Sequence, residues 1–334
     1  MGASKSQPEK RIVLLGKTGD GKSSAGNTIL KQQVFKSKAS PESVTAECVS
    51  ADRKIDGKNI TVIDTPGLLD TALDEETIKS EIIRSVIESS PGPDMFIIVL
   101  KVERYTGQEM EIVDKIVEYC GEDTFNHSVV LFTHGEQLEG QTIEEFVKMS
   151  PKLQELVDKC GSRCHVIDSK YWKNRQNGYR SNRVQVKNLL ETIEQKLTGC
   201  YTNELLQIVE EEIQEEMKNV DEVNVLPEEK REQAKKIVHK NLHIRLAAVT
   251  TETLARAFLG IAEAVAFVVT VLKAASVPGE VIAGTDAGAA GIAAVLGAGI
   301  VAAGAAALAG VIGRGITGYN AADEGDPGCD TINK

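Results

Sequence analysis

Positive charge is what this chain lacks most plainly: 38 lysines and arginines stand against 49 aspartates and glutamates, a formal net charge of −11. Such a surface offers no general attraction to nucleic acid or anionic lipid, so no nucleic-acid partner is expected and any lipid contact has to be local. Paired cysteines are lacking too. The six, Cys48, Cys120, Cys160, Cys164, Cys200 and Cys329, are scattered through segments patterned as strands and helices, with no secretory signal ahead of them. That pattern points to a reduced, cytoplasmic chain. Cys160 and Cys164 with His165 make only half of a tetrahedral metal site. What the 334 residues do have is 42% hydrophobic side chains, enough for a core and incompatible with wholesale disorder.

Short apolar runs punctuate the first 200 residues. Residues 12–15 (IVLL) read as a buried strand, followed by a glycine-rich turn and a helix to about Leu30. "AECVSADRKIDGKNITVIDTPG" alternates on both sides of Asp56-Gly57, which predicts a hairpin whose second strand ends at Asp64. Further strands start at Met95, Ser128 and Cys164, between helical patterns near 76–89, 107–120, 142–159 and 183–197. Strands alternating with helices predict an α/β fold, a mostly parallel sheet flanked by helices.

The turn itself carries the strongest chemical signal. Gly16, Gly21, Lys22 and Ser23 satisfy GxxxxGK[ST] between a strand and a helix. In such a loop, here Gly16, Lys17, Thr18, Gly19, Asp20, Gly21, Lys22, Ser23 and Ser24, backbone N–H groups wrap phosphates, Lys22 reaches the outer ones and the Ser23 hydroxyl ligates magnesium. "DTPG", from Asp64 to Gly67, ends the hairpin; Asp64 is placed to hold magnesium and the Gly67 N–H to meet a γ-phosphate. Thr45, in "SPESVTAE", is the candidate loop hydroxyl that closes on the magnesium, with Ser40 and Ser43 as alternatives.

Together "GKTGDGKSSAGNTIL", "SVT", "DTPG", "FIIVLKVERYTGQE" and "VVLFTHGEQL" resemble the immunity-associated GIMAP GTPases, relatives of septins and chloroplast import GTPases, over about residues 10 to 198. The resemblance implies GTP or GDP with Mg2+ as ligands. It places base recognition at Thr133, His134 and Glu136, in "THGE", where many GTPases have Asn-Lys-x-Asp, and in a last loop at Asp168 and Ser169. Gln137 follows Glu136 where family members often carry an acidic residue, and Asp168, Ser169 and Lys170 stand where relatives often show paired asparagines. Leu68 follows Gly67 where Ras-like enzymes have the glutamine that orients water. The water positioner is then sought elsewhere: septin-like relatives pair their nucleotide domains, and Arg104 is a candidate finger reaching into a second copy, its alternative being a surface or dimer-contact arginine. The expected activity is slow GTP hydrolysis raised by self-association, with a nucleotide-stabilised membrane scaffold of negligible hydrolysis as the alternative.

After Gly199 the strands stop. Leu205, Leu206, Val209, Ile213, Met217 and Val220 form a helical stripe beneath a crowd of glutamates, and beyond Pro227 basic residues dominate a second helical pattern. An acidic helix folded on a basic one and a solvated extension are both compatible with this. Residues 257–272 are apolar except for Glu263, and Ala287 to Gly313 is Ala/Gly-rich without any charge; the two suggest a membrane hairpin or a buried helical one. The basic residues 230–245 precede them, and the link with Pro278, Glu280 and Asp286 lacks Lys and Arg, as a hairpin inserted from the cytosol would. "MGASKS" suits myristoylation at Gly2, a second membrane signal. The expected organisation is a leader at 1–9, a GTP-binding domain at 10–198, a charged helical extension at 199–250, apolar segments at 251–318 and a polar tail at 319–334. Residence in the cytoplasm on an intracellular membrane, and a role in immune-cell survival or defence, complete the expectation.

Overall fold

The computed structural model describes residues 10–36, 48–65, 75–105, 107–196, 199–220 and 226–275. In chain order the first half runs β1 (Lys10–Leu15), α1 (Lys22–Leu30), β2 (Val49–Ile55), β3 (Lys58–Asp64), α2 (Glu75–Ser89), β4 (Met95–Lys101), α3 (Gly107–Tyr119), α4 (Glu122–Asn126) and β5 (Ser128–Thr133). Then come α5 (Ile143–Lys148), α6 (Pro151–Lys159), β6 (Cys164–Val166), α7 (Asn182–Lys196), α8 (Glu204–Asn219), α9 (Pro227–Arg245), α10 (Thr251–Phe258) and α11 (Ala262–Ala274).

The strands form one sheet in the order β2-β3-β1-β4-β5-β6, with only β2 antiparallel to its neighbour. Continuous apolar runs explain the centre: Ile12 to Leu15, Met95 to Leu100 and Val129 to Phe132 are all buried, as strands covered on both faces must be. β2 takes the edge, where Asp52 and Lys54 are exposed to solvent. It joins β3 through Asp56 and Gly57, both at positive φ (48° and 86°), the geometry a two-residue hairpin turn requires.

The helical pattern over 142–159 is divided in two. Pro151 cannot donate into a continuing helix and instead occupies the first turn of α6 behind the Ser150 cap, while Thr142 and Glu145 close a capping box at the start of α5.

The described residues out to 275 fall in one compact unit. The acidic helix does fold on the basic one. α8 buries Leu205, Leu206, Val209 and Ile213, and α9 buries Ala234, Val238 and Leu242, where the two meet each other and α2. Arg231 pairs with Glu210 at 2.6 Å, Arg245 with Glu212 at 2.7 Å, and Lys235 with Glu88 of α2 at 2.9 Å. α10 and α11 continue the layer, burying Leu254, Phe258, Val268 and Leu272. No single helix among the described residues is long and apolar enough to cross a membrane; α10 and α11 reach that composition only as a pair bent by 111°. The Gly2 site and the Ala287–Gly313 stretch lie outside the described residues.

Tyr201 fastens this layer to the sheet. Its N–H donates to the Pro93 carbonyl at 2.8 Å, and its ring meets Phe96, at the start of β4, edge-on at 5.1 Å. Phe258 packs on the same Phe96 at 6.0 Å. Asn203 Nδ2 donates to both the Tyr201 hydroxyl and the Ala257 carbonyl, at 2.9 and 3.0 Å. Truncation of a buried aromatic of this kind costs about 3–5 kcal/mol and loss of one hydroxyl about 1 kcal/mol. Urea denaturation should therefore show a large drop in midpoint for Tyr201→Ala and a small one for Tyr201→Phe; equal midpoints for Tyr201→Ala and the unaltered chain would contradict this anchor.

Candidate functional site

Parallel strands deliver their carboxyl ends to one edge, where the end of β3 meets the loops that leave β1, β4 and β5. The loop after β1 lies on β4: Gly16 has φ 146°, and a Cβ on it would stand 2.5 Å from the Val99 carbonyl oxygen. Lys22, buried, donates through Nζ to the carbonyls of Gly16 (2.9 Å) and Lys17 (3.0 Å), so the loop curls round the ammonium. Lys17, Thr18 and Ser24 are half-buried and Gly19 is exposed. α1 begins after Gly21 with no side-chain cap and no acidic residue in its first turn. Its positive end is thus open to an anion.

Asp64 closes β3 at 1% exposure. The Ser23 hydroxyl donates to its Oδ2 at 2.5 Å, while Oδ1 has no hydrogen-bond partner among the described residues. Burial holds the carboxyl above the ordinary range, opposed by the Ser23 bond and by Lys22. A buried carboxylate oxygen without a partner is costly, and beside a serine hydroxyl it forms a hard-oxygen donor pair that fits magnesium.

Two further features shape the loop. Asp20 is buried, which pushes its carboxyl up to about 6 against the pull of Lys22 and Lys17. Its backbone oxygen accepts from the Thr133 hydroxyl at 2.8 Å, tying the loop to the end of β5.

Past Thr133 the chain turns sharply at His134 (φ 59°) into a 3-10 turn, Gly135–Leu138. His134 Nδ1 is 2.9 Å from the Thr133 hydroxyl, and partial burial with Lys101 nearby lowers its pKa, favouring a neutral ring. Glu136 Oε2 accepts from the indole Nε1 of Trp172 at 2.8 Å and lies 3.7 Å from Arg175 Nη2. The turn rests on that fully buried indole: a Cβ at Gly135 would come within 2.5 Å of Trp172.

Asp168 is brought to the same place but faces inward. Its Oδ2 accepts from the Glu136 N–H (3.0 Å) and its Oδ1 from those of Lys170 (2.9 Å) and Tyr171 (2.7 Å), while Asn182 brackets its backbone. Its carboxylate therefore clamps two loops together. Ser169 reaches α1, with its hydroxyl 3.4 Å from that of Thr28. Arg104 is exposed just after β4, next to Tyr105, whose hydroxyl donates to the Lys101 carbonyl at 3.1 Å. Thr45, Gly67 and Leu68 lie outside the described residues.

Trp172 and Asn182 have no place in the sequence reading, although both hold the second half of this edge. One signal existed: Trp172 is the single tryptophan of the chain and comes four positions after Asp168.

Comparison with known proteins places most of the described residues in one family. The AIG1 family model aligns with residues 10–224. Immune-associated nucleotide-binding protein 13 of Arabidopsis thaliana is 32% identical over 225 residues, 65% of this chain and 66% of that protein. GTPase IMAP family member 8 of Rattus norvegicus is 31% identical over 185 residues, 55% of this chain and 26% of that protein. The matched part thus spans somewhat less than two thirds of the first relative's length. Among solved structures, Toc33 from Arabidopsis thaliana in complex with Mg2+ and GMPPNP superposes with a TM-score of 0.42 at 20% identity, over 58% of this chain and 88% of that one. The family model runs from the first residue of β1 to beyond the end of α8, well over half of the sequence: the chain belongs to the AIG1 family.

Proposed function

We propose that this chain is a magnesium-dependent guanine-nucleotide switch that hydrolyses GTP slowly, pairs through its nucleotide domain and works at an intracellular membrane. The observation that carries the reading is Asp64, a buried carboxylate with one oxygen on Ser23 and the other unpartnered, beside a loop curled round Lys22. The family's relatives named immune-associated nucleotide-binding protein and GTPase IMAP family member support the nucleotide class and a role in immune-cell survival or defence.

In this reading the backbone N–H groups from Gly16 to Ser24 bind phosphates, and Lys22 transfers its ammonium from the loop carbonyls to the outer phosphates. Ser23 and Asp64 hold the magnesium. Thr45, phosphate and water would complete its coordination. Magnesium held by Ser23 and Asp64 would supply positive charge beside the phosphates. The Gly67 N–H meets the γ-phosphate.

At the base end, Glu136 has Oε2 engaged by Trp172, leaving Oε1 to accept from guanine N1 and N2, with His134 as a neutral flank. Asp168 positions Glu136 rather than touching the base, and Ser169 closes the rim. The exposure of Arg104 suits a group offered to a second copy, where a guanidinium stabilises charge on the transferring phosphate. The apolar residues after 275 and a myristoylated Gly2 supply the membrane attachment.

Chromatography of the heat-denatured, freshly purified chain should release GDP or GTP, and Lys22→Ala should release none; an adenine nucleotide would overturn the reading. Specific GTPase activity should rise with protein concentration, and Arg104→Ala should remove most of that rise; a flat profile in the unaltered chain would sink catalysis across the pair.

Asp20 gives a pH signature. Its folded value of about 6 lies above the ordinary 3.8, so ionisation disfavours the fold. The cost is absent below the ordinary value, grows as pH rises between the two and is complete above about 6, reaching up to about 3 kcal/mol. Asp20→Asn should therefore raise the melting temperature of the nucleotide-free protein at pH 7.5 and leave it nearly unchanged at pH 4; equal shifts at both would contradict the assignment.

A further inference from the structure

α9 has two working faces. The inner one is fully used: Ala234, Val238 and Leu242 are buried, Lys235 pairs with Glu88, Arg245 with Glu212, and His239 Nε2 lies 3.2 Å from the Ser80 carbonyl. These ties fix which side of the helix points away from the protein.

That outer side carries a second apolar line. Leu226 at the N-cap, Ile237 and Ile244 are 62%, 41% and 65% exposed. Leu226 and Ile244 are five helical turns apart, with Ile237 between them within about 20° of the same bearing, so the three align over roughly 27 Å. Single exposed aliphatics are ordinary on a soluble surface, and these three stand apart on their shared bearing, with Lys230, Gln233 and Lys240 between them. Lysines rim the line: Lys236 and Lys240 are exposed, and Lys230 reaches back to the Val220 carbonyl at 3.0 Å. Glu228, Glu229 and Glu232 keep to the amino-terminal third, so the face is cationic from Lys236 onward.

We propose that the outer face of α9 docks on an anionic lipid leaflet, with Leu226, Ile237 and Ile244 at headgroup depth and Lys236 and Lys240 on the anionic headgroups. This rests on the membrane reading above and names the surface and lipid class that reading leaves open. An aliphatic line bordered by lysines on a rigidly held helix is the arrangement that lies in a membrane interface. Pairing with the same face of a second copy would set lysine against lysine. The net charge of −11 excludes a general attraction, so a local cationic face decides which side approaches an anionic surface.

The test is flotation of the full-length, unlipidated chain with phosphatidylcholine vesicles, with and without phosphatidylserine. Ile237→Ser/Ile244→Ser and Lys236→Glu/Lys240→Glu are compared with the unaltered chain, after urea midpoints and bound nucleotide are shown to be unchanged. The unaltered chain should prefer phosphatidylserine, the preference should weaken with salt, and each double variant should lose at least about tenfold in affinity for those vesicles. Variants that bind like the unaltered chain, while vesicle binding persists, would overturn this face and leave the membrane reading standing. Failure of the unaltered chain to float with either vesicle would overturn this face and attachment by the residues after 275. A vesicle-free change of oligomeric state in the isoleucine variant, with vesicle affinity intact, would assign the face to a second copy and overturn the lipid proposal.

Discussion

A carboxylate at the end of a buried strand is the constraint on which the rest of the molecule turns. Asp64 can sit at 1% exposure only because β3 is paired on both sides, with β2 at the edge and β1 toward the centre. The same pairing sets Leu14 of β1 opposite Asp64, so the loop that leaves β1 starts beside that carboxylate. Ser23 then joins the two elements, and Gly16 lets the loop lie on β4 without a side chain in the way. An unpaired oxygen in such a place is tolerated where a ligand satisfies it.

The opposite end of the sheet is held by apolar contact. Tyr201 and Phe258 both pack on Phe96, and Leu259 accepts from Gly121 at 2.8 Å and from the Thr124 hydroxyl at 2.7 Å. The helices from α8 onward are thereby built on the nucleotide domain's own core, and α2 serves as a wall for both. A sheet with ligand loops at one edge and a helical layer fixed to the other keeps the site free of the groups that stabilise the fold.

How much of this was readable depended on the range of the signal. The glycine-rich turn between β1 and α1, the Asp56-Gly57 hairpin and the central strands are local patterns, each complete within about ten residues, and they appear where the sequence places them. The division of 142–159 was also locally written, in Ser150-Pro151, but the helical period outweighs one proline when a pattern is read by periodicity. The second half of the site was not readable, because Trp172 meets Glu136 across 36 positions and nothing in "THGE" announces an indole beneath it. Asp168 illustrates the same limit: a resemblance assigns it to the base, whereas its oxygens are held by the N–H groups of Glu136, Lys170 and Tyr171. In α8 the glutamates left two readings open, a fold onto the basic helix and a solvated extension, since the arginines that meet them lie 21 and 33 positions away.

If Asp64 and Ser23 make the metal-dependent half of a guanine-nucleotide site, removing the metal and removing the carboxylate should weaken binding alike. Equilibrium titration of a fluorescent guanosine diphosphate in magnesium and in chelator, on the unaltered chain and on Asp64→Ala, tests it most directly. Chelation should weaken binding to the unaltered chain by at least about tenfold and leave the already weak binding of Asp64→Ala unchanged. Undiminished magnesium dependence in Asp64→Ala would contradict it.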